Sequence, residues 1–319
     1  MPAAAVDGGL EAVEHGAAVV LVGDEARLRE SLAERGAELP IEHAGDVIGM
    51  QEHATDVRRR KEASVVVATR MVQEGRASAC VSMGHSGATM AAALLLLGRL
   101  KGVERPAILA NIPNATGGYT ALIDAGANAD CRPSFLQQFA LMGDAYARAM
   151  YGLATPRVGL MSIGEEPEKG NELTREAHAL LAATPGIHFH GNVEGRDLLR
   201  GTIDVVVTDG FTGNVMLKLA EGEARVLFGM VRDALRSDLR AKLGGLLARP
   251  ALQRVAARLD PAEVGAEPLL GVAGHAFIGH GSSDARAVAS AIRSARRLVA
   301  ADLTERIAAA VRESAGGVA

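Results

Sequence analysis

The chain has 319 residues, 48% of them hydrophobic and 23% charged, with 37 glycines and a formal net charge of −4. Those proportions describe a globular protein of one large domain or two, and they exclude a disordered chain, a collagen and a small disulfide-stapled scaffold. With 34 Lys and Arg against 38 Asp and Glu, and 3% aromatic residues, it carries neither the global basic field nor the stacking platform of a nucleic-acid binder.

The opening MPAAAVDGGLEAVEHG lacks a basic start and a continuous apolar stretch, so it does not read as a secretory signal. Short apolar runs at 18–22, 79–82, 107–110, 157–163, 187–190, 203–208 and 269–272 read as buried strands of a mostly parallel sheet, with no hairpin turn joining successive runs. Between them, 62–74, 87–98, 133–151, 170–183 and 282–311 carry apolar residues at helical spacing and are expected to cover the sheet. The longest apolar run, 90–97, is far short of the ~20 residues that span a bilayer. The class is therefore α/β. The two cysteines, Cys80 and Cys131, form no CxxC and suggest a reducing, cytosolic setting without disulfides.

One segment stands apart in charge. Residues 224–262 hold eight basic residues against three acidic ones inside an acidic chain. The stretch LGGLLARP at 243–250 interrupts the helical pattern with paired glycines and a proline, which predicts two helices joined by an apolar tip.

Four glycine-rich junctions follow predicted strands, where an open α/β sheet places its ligands. SMGHSGAT (82–89) enters an Ala/Leu-rich helix whose first N–H groups suit an anion; it reads equally as an ordinary turn capped by Ser86. It has neither the spacing of a dinucleotide fingerprint nor the Lys-Ser/Thr of a Walker loop. In GLMSIGEEPEKGNE (159–172), Lys169 stands between a strand end and a helix start, where it would neutralise phosphate or polarise a carbonyl unless the run is simply a solvated loop. TDGFTGN (208–214) places Asp209 at a strand end, as a functional carboxylate or a helix cap. HAFIGHGSSD (275–284) repeats the strand, turn and cap, with His280 able to donate to an oxyanion and Ser282 or Ser283 able to cap. Ser86, His280 and Asp209 make no serine-hydrolase case, because no GxSxG elbow is present. Neither cysteine has an activating neighbour.

Taken in order, GHSGATM, LIDAGANADC, GEEPEKGNE, GNVEGRD, VTDGFTGNV and HGSSDA resemble the bacterial phosphate acyltransferases of the PlsX type, over nearly the whole chain. The resemblance implies one three-layer α/β/α catalytic domain over 1–319, related to isocitrate and isopropylmalate dehydrogenases, with 224–262 as a projecting helical hairpin. It also implies a homodimer that converts long-chain acyl carrier protein and inorganic phosphate into acyl phosphate for phospholipid synthesis, without metal, cofactor or covalent intermediate. The family's functional Lys and Asp fall on Lys169, for phosphate or oxyanion stabilisation, and Asp209, for orientation or proton handling. Gly84, His85, Ser86, Gly87, Gly210, Gly213, Asn214, His280 and Gly281 would line the pocket, with Asp124 and Asn192 as further candidates.

Two features depart from that pattern. The first strand and its Met-Gly-Gly-Asp loop are not found at the start of this sequence, and His85-Ser86 replaces a frequent Asn-Thr pair. The basic hairpin would dock on anionic lipid, placing the protein in the cytoplasm at the inner membrane face, beside a downstream membrane glycerol-phosphate acyltransferase. The acidic carrier protein would meet the same residues or Arg58-Arg59-Arg60-Lys61. The alternatives are a phosphotransacetylase acting on short acyl-CoA and an inactive membrane adaptor. A dehydrogenase fits less well, lacking a dinucleotide fingerprint and paired aspartates for Mg²⁺.

Overall fold

The computed structural model describes residues 2–263, 265–281 and 283–316. Ser282, one of the two candidate caps, lies outside them. Ten α-helices and ten strands are described, in the order α1 (Pro2–Glu14), β1 (Leu21–Gly23), α2 (Glu25–Ala33), β2 (Ile41–His43), α3 (Ser64–Gln73), β3 (Cys80–Ser82), α4 (Ser86–Leu96), β4 (Ala107–Pro113), β5 (Tyr119–Ile123), α5 (Pro133–Tyr151), β6 (Arg157–Met161), α6 (Glu172–Ala182), β7 (His188–Val193), β8 (Val205–Val207), α7 (Gly210–Ala234), α8 (Leu239–Arg258), β9 (Glu267–Leu270), β10 (Ala276–Ile278), α9 (Ala285–Ala300) and α10 (Leu303–Gly316).

Strands β3 to β10 form one eight-stranded sheet in the order β3-β10-β9-β4-β5-β8-β6-β7, and β1 and β2 pair separately. Strand residues alternate between two cores, as the two-residue period of a strand requires. Ala107, Leu109, Ile123, Val205, Val207 and Phe277 face α5, α6, α9 and α10. Ile108, Ala110, Leu122, Val206, Ala276 and Ile278 face α4 and the start of α7. The result is the expected three-layer arrangement, with apolar residues on both faces of the sheet.

The expectation that no hairpin joins successive strands is wrong at two places. β4 and β5 pair antiparallel, Leu109 opposite Ile123, across a turn in which Asn114 Oδ1 accepts the Gly118 N–H at 3.2 Å and Gly117 takes φ +87°. β9 pairs antiparallel with both β10 and β4. These reversals fix directions: the carboxyl ends of β5, β6, β7 and β8 lie at one end of the sheet, and those of β3 and β10 at the other.

Three further elements differ from the sequence reading. The first 16 residues contain α1, whose Gly8 lies so near α9 that a Cβ there would sit 2.5 Å from the Ala285 carbonyl oxygen. The helical run at 282–311 is broken at Asp302, which adopts a left-handed φ of +49°, and so becomes α9 and α10. The hairpin turns at Leu235–Asp238 rather than at 243–250: Asp238 caps α8 by accepting the Ala241 N–H at 2.9 Å. Gly244, Gly245 and Pro250 lie inside α8, and Gly245 lets that helix fold back onto α7, since a Cβ there would stand 3.2 Å from the Leu235 Cβ. No helix among the described residues is long and apolar enough to cross a membrane.

Candidate functional site

The end of the sheet shared by β5, β6, β7 and β8 collects Asp124, Lys169, Asn192 and Asp209. Asp124 is fully buried. Its Oδ1 accepts the N–H groups of Ile108, Gly126 and Ala127 at 3.1, 3.0 and 2.9 Å, and Oδ2 accepts both N–H donors of Asn128 at 2.7 and 2.8 Å. Burial nevertheless pushes the carboxyl up, against the pull of those donors. Asp124 therefore organises the 124–128 loop, which in turn receives α7. The Gly210 N–H donates to the Asn128 carbonyl at 2.7 Å, and Asn214 Nδ2 to the Ala125 carbonyl at 3.2 Å.

Asp209 is the N-cap of α7. Its Oδ1 accepts the Thr212 N–H and its Oδ2 the Thr212 hydroxyl, both at 2.8 Å. With both oxygens engaged in the cap, the carboxylate is suited to orienting α7. Lys169 is exposed in the loop between β6 and α6. That loop is pinned by Asn192, which is buried in β7 and donates Nδ2 to the Glu166 carbonyl at 2.7 Å, while its Oδ1 has no partner among the described residues. Beside it, Glu165, Glu194 and Asp197 present oxygens within 4.8 Å of one another. Arg196 reaches Glu165 and Glu194 at 3.4 and 2.5 Å, and Arg200 reaches Asp197 at 3.0 Å, so the trio is already compensated by cations.

The opposite end collects Gly84, His85, Ser86, Gly87, His280 and Gly281. The cap of α4 is His85, not Ser86, which is the first helical residue. His85 Nδ1 accepts the Ala88 N–H at 3.2 Å, so the ring proton sits on Nε2, 3.0 Å from the Glu52 carbonyl oxygen. The Gly279 N–H donates to the Ser82 carbonyl at 2.8 Å, which seats the 279–281 turn against the 82–87 loop. At Gly279 the Met83 side chain packs against the backbone, and a Cβ there would displace its sulfur, which would otherwise lie 2.0 Å away. Strand direction thus divides the candidate residues between two ends, and α7 crosses the sheet from one end to the other.

The sequence reading missed Lys218, Glu221 and Glu267. Lys218 and Glu221 follow Asn214 along one side of α7, and Glu267 opens β9. Burial and the neighbouring Glu221 and Asp124 push the Glu267 carboxyl up to about 7, while Lys218 pulls it down. The only available signal was the four- and three-residue spacing on a helix that begins at a glycine loop. Burial pushes the Cys80 and Cys131 thiols up, to about 11 and about 12, so neither stands as a thiolate at neutral pH.

The charged run at 58–61 is partly spent within the fold. Arg59 binds Asp56 at 2.6 Å, and Arg60 bridges Asp46 and Glu52. Arg58 and Lys61 remain on the rim of a cleft of about 390 Å³ that is also lined by Val57, Val66, Arg70 and Leu96.

Residues 1–306 match the family described as "Fatty acid synthesis protein" (FA_synthesis). A phosphate acyltransferase of Thermus thermophilus is 60% identical over 306 residues, covering 96% of this chain and 93% of that protein. The phosphate acyltransferase of Deinococcus radiodurans is 57% identical over 270 residues, covering 83% and 75%. Among solved structures, the phosphotransacetylase EutD from Staphylococcus aureus superposes with a TM-score of 0.58 at 16% identity, covering 93% of each chain. A 4-hydroxythreonine-4-phosphate dehydrogenase from Klebsiella pneumoniae gives 0.55 at 15%, covering 93% of this chain and 95% of that one. The structural likenesses establish the fold, and the sequence matches establish that this chain belongs to the FA_synthesis family of fatty acid synthesis proteins, whose matched relatives are named phosphate acyltransferases.

Proposed function

We propose that this chain transfers a long-chain acyl group from an acyl carrier protein to inorganic phosphate, giving an acyl phosphate for phospholipid synthesis. The observation that carries the reading is 60% identity over 96% of the chain to a relative named for that acyl transfer to phosphate. The chemistry asks for a desolvated anion site and a means of stabilising the carbonyl oxygen as phosphate attacks the thioester. The α4 loop supplies first-turn N–H groups beside His280, and Lys169 supplies an exposed cation at the other end of the sheet. In this reading Gly84, His85, Ser86, Gly87, His280 and Gly281 hold phosphate. Asp124, Asp209, Gly210, Gly213 and Asn214 hold α7 in place, and Asn192 holds the Lys169 loop.

The test is phosphate-dependent acyl hydroxamate formation with palmitoyl carrier protein and with acetyl-CoA at equal concentration. Turnover with the carrier protein alone is expected. Preference for acetyl-CoA would replace the reading with a phosphotransacetylase, and vesicle binding without turnover on either donor would replace it with a membrane adaptor.

Two surfaces extend the proposal. Phe211, Val215, Leu219, Val226 and Met230 form an exposed apolar stripe along α7, which we assign to the homodimer contact. On α8 no described residue is buried; Leu239, Leu243, Leu246 and Leu247 are exposed on one side, flanked by Arg240, Lys242 and Arg249. That amphipathic pattern fits an anionic lipid surface at the cytoplasmic face, where a glycerol-phosphate acyltransferase would consume the product. Arg58 and Lys61 are left for the acidic carrier protein. Replacing Arg232, Arg236 and Arg240 together by Glu should release the protein from phosphatidylglycerol vesicles; unchanged binding would remove the lipid assignment.

A further inference from the structure

Within one chain, Lys169 stands at the carboxyl end of β6, at the opposite end of the sheet from the α4 loop and His280. The lysine that does reach the α4 end is Lys218. α7 runs toward it from Asp209, and Lys218 Nζ lies 2.9 and 3.2 Å from the two carboxylate oxygens of Glu221. Glu221 Oε1 is in turn 3.7 Å from His280 Nε2. Glu267 pairs with Ile278 in the β9-β10 ladder, two residues before His280. A cation, an imidazole and two carboxylates drawn from α7, β9 and the turn after β10 therefore meet beside the glycine loops.

An isolated Lys-Glu pair on a helix surface is worth little and implies nothing. This one differs because Glu221 is shared with His280 and because Glu267 is packed into the same corner. Desolvation together with Glu221 and Asp124 disfavours the charged form of Glu267, Lys218 favours it, and the carboxyl titrates at about 7. Half-exposed Lys218 and His280 keep the corner open to a small anion.

We propose that Lys218, Glu221, Glu267 and His280 form the phosphate-handling corner of the site, in which Lys218 contacts the bound phosphate and Glu267 carries its proton to the departing sulfur. The inference rests on the acyl transfer proposed above. Hydrogen phosphate gives its hydroxyl proton to the Glu267 carboxylate as that oxygen bonds to the thioester carbon. The carbon-sulfur bond then breaks, and the Glu267 carboxylic acid returns the proton to the thiolate. The products are acyl phosphate and free thiol, with charge and protons conserved and no other reactant consumed. Glu221 is a positioning residue that holds Lys218, and His280, 3.7 Å from Glu221, closes the corner against the phosphate.

Two measurements test this on the full-length protein. Calorimetric titration with inorganic phosphate should show Lys218→Gln weakening binding at least tenfold, with Lys101→Gln, in a remote turn, as the unaffected control. At saturating phosphate, kcat of the unaltered protein should rise with pH through about 7; Glu267→Gln should lower it at least tenfold and flatten the profile, and Glu267→Asp should restore the inflection. Phosphate affinity within twofold after Lys218→Gln overturns the lysine assignment, and an inflection retained in Glu267→Gln overturns the proton-carrier assignment. Phosphate binding without acyl transfer by the unaltered protein would defeat the acyltransferase reading and leave Lys218 judged by the titration. No phosphate binding by the unaltered protein would defeat the corner itself.

Discussion

Gly213 is the position at which one added methyl group should do most damage. A Cβ there would lie 1.9 Å from the Asp124 carbonyl oxygen, a backbone atom with no freedom to move aside, and 3.1 Å from Thr208 Cγ2. To admit alanine, α7 would have to withdraw from the 124–128 loop by more than 1 Å, on the usual closest approach of about 3 Å. That withdrawal strains or breaks the Gly210 N–H bond to Asn128 and the Asn214 bond to Ala125. Two hydrogen bonds at about 1 kcal/mol each, added to an overpacking cost of about 1–3 kcal/mol, predict a loss of about 3–5 kcal/mol for Gly213→Ala. The internal control is Gly244→Ala in α8, off the α7 stripe, where no neighbouring atom lies within 4 Å. There the gain in helix propensity should stabilise by about 0.5–1 kcal/mol. Urea denaturation of both variants reads the contrast, as does a fall of about 4–7 °C in Tm for Gly213→Ala. If Gly213→Ala stays within about 0.5 kcal/mol of the parent, the claim that Asp124 and its loop position α7 is wrong.

Three further outcomes follow from the same geometry. Lys169 is exposed in a loop at the far end of the sheet from the α4 loop of its own chain, so it joins the reaction only across the proposed homodimer; on that assignment Lys169→Ala should abolish phosphate-dependent hydroxamate formation while leaving circular dichroism and Tm unchanged, and near-normal turnover would remove it from the mechanism. The folded-state pKa of Glu267, about 7, lies above its ordinary value, so its stabilising contribution is full in acid and is lost as pH rises through about 7. Glu267→Gln should therefore be more stable than the parent at pH 8 by about 2 kcal/mol, after discounting partial exposure, and nearly equal to it at pH 4. His85→Ala removes the α4 cap and should cost about 1 kcal/mol in denaturation, whereas Ser86→Ala, at the first helical position, should cost little.

The readable parts of this sequence were those where local chemistry and tertiary structure agree. Residues 133–151 are predicted and found as a single helix, α5, because Pro133 suits the first turn and Gly152 ends it with φ +70°. The valines of β8 announce a buried strand and form one. The GHSG turn is located correctly, but its cap is not, because a histidine accepting through Nδ1 is an unusual cap and the adjacent serine is the commoner one. The hairpin shows the reverse error. Gly244-Gly245 and Pro250 are strong breakers in isolation, yet Gly245 sits where α8 approaches Leu235, and the real turn is set by Asp238. Propensity records what a residue prefers alone, and a close approach between helices is invisible to it.

The largest gap concerned direction. Each glycine junction was correctly read as following a strand, and a sheet with one strand direction would bring all four to one edge. Two short reversals prevent that. Asn114 with Gly117 turns β4 back as β5, and β9 runs against both its neighbours, so the sheet changes direction on either side of β4. Single-sequence patterns show where strands lie but not which way each runs beside its neighbours, since pairing is a long-range property. The consequence is chemical. A lysine and a glycine loop that look like partners in the chain stand at opposite ends of the sheet, and the cation beside the α4 loop is supplied by α7, a helix that starts at one end and reaches the other. Lys218 reaches the α4 loop because β9 runs antiparallel to both β10 and β4, which sets Glu267 beside the turn after β10.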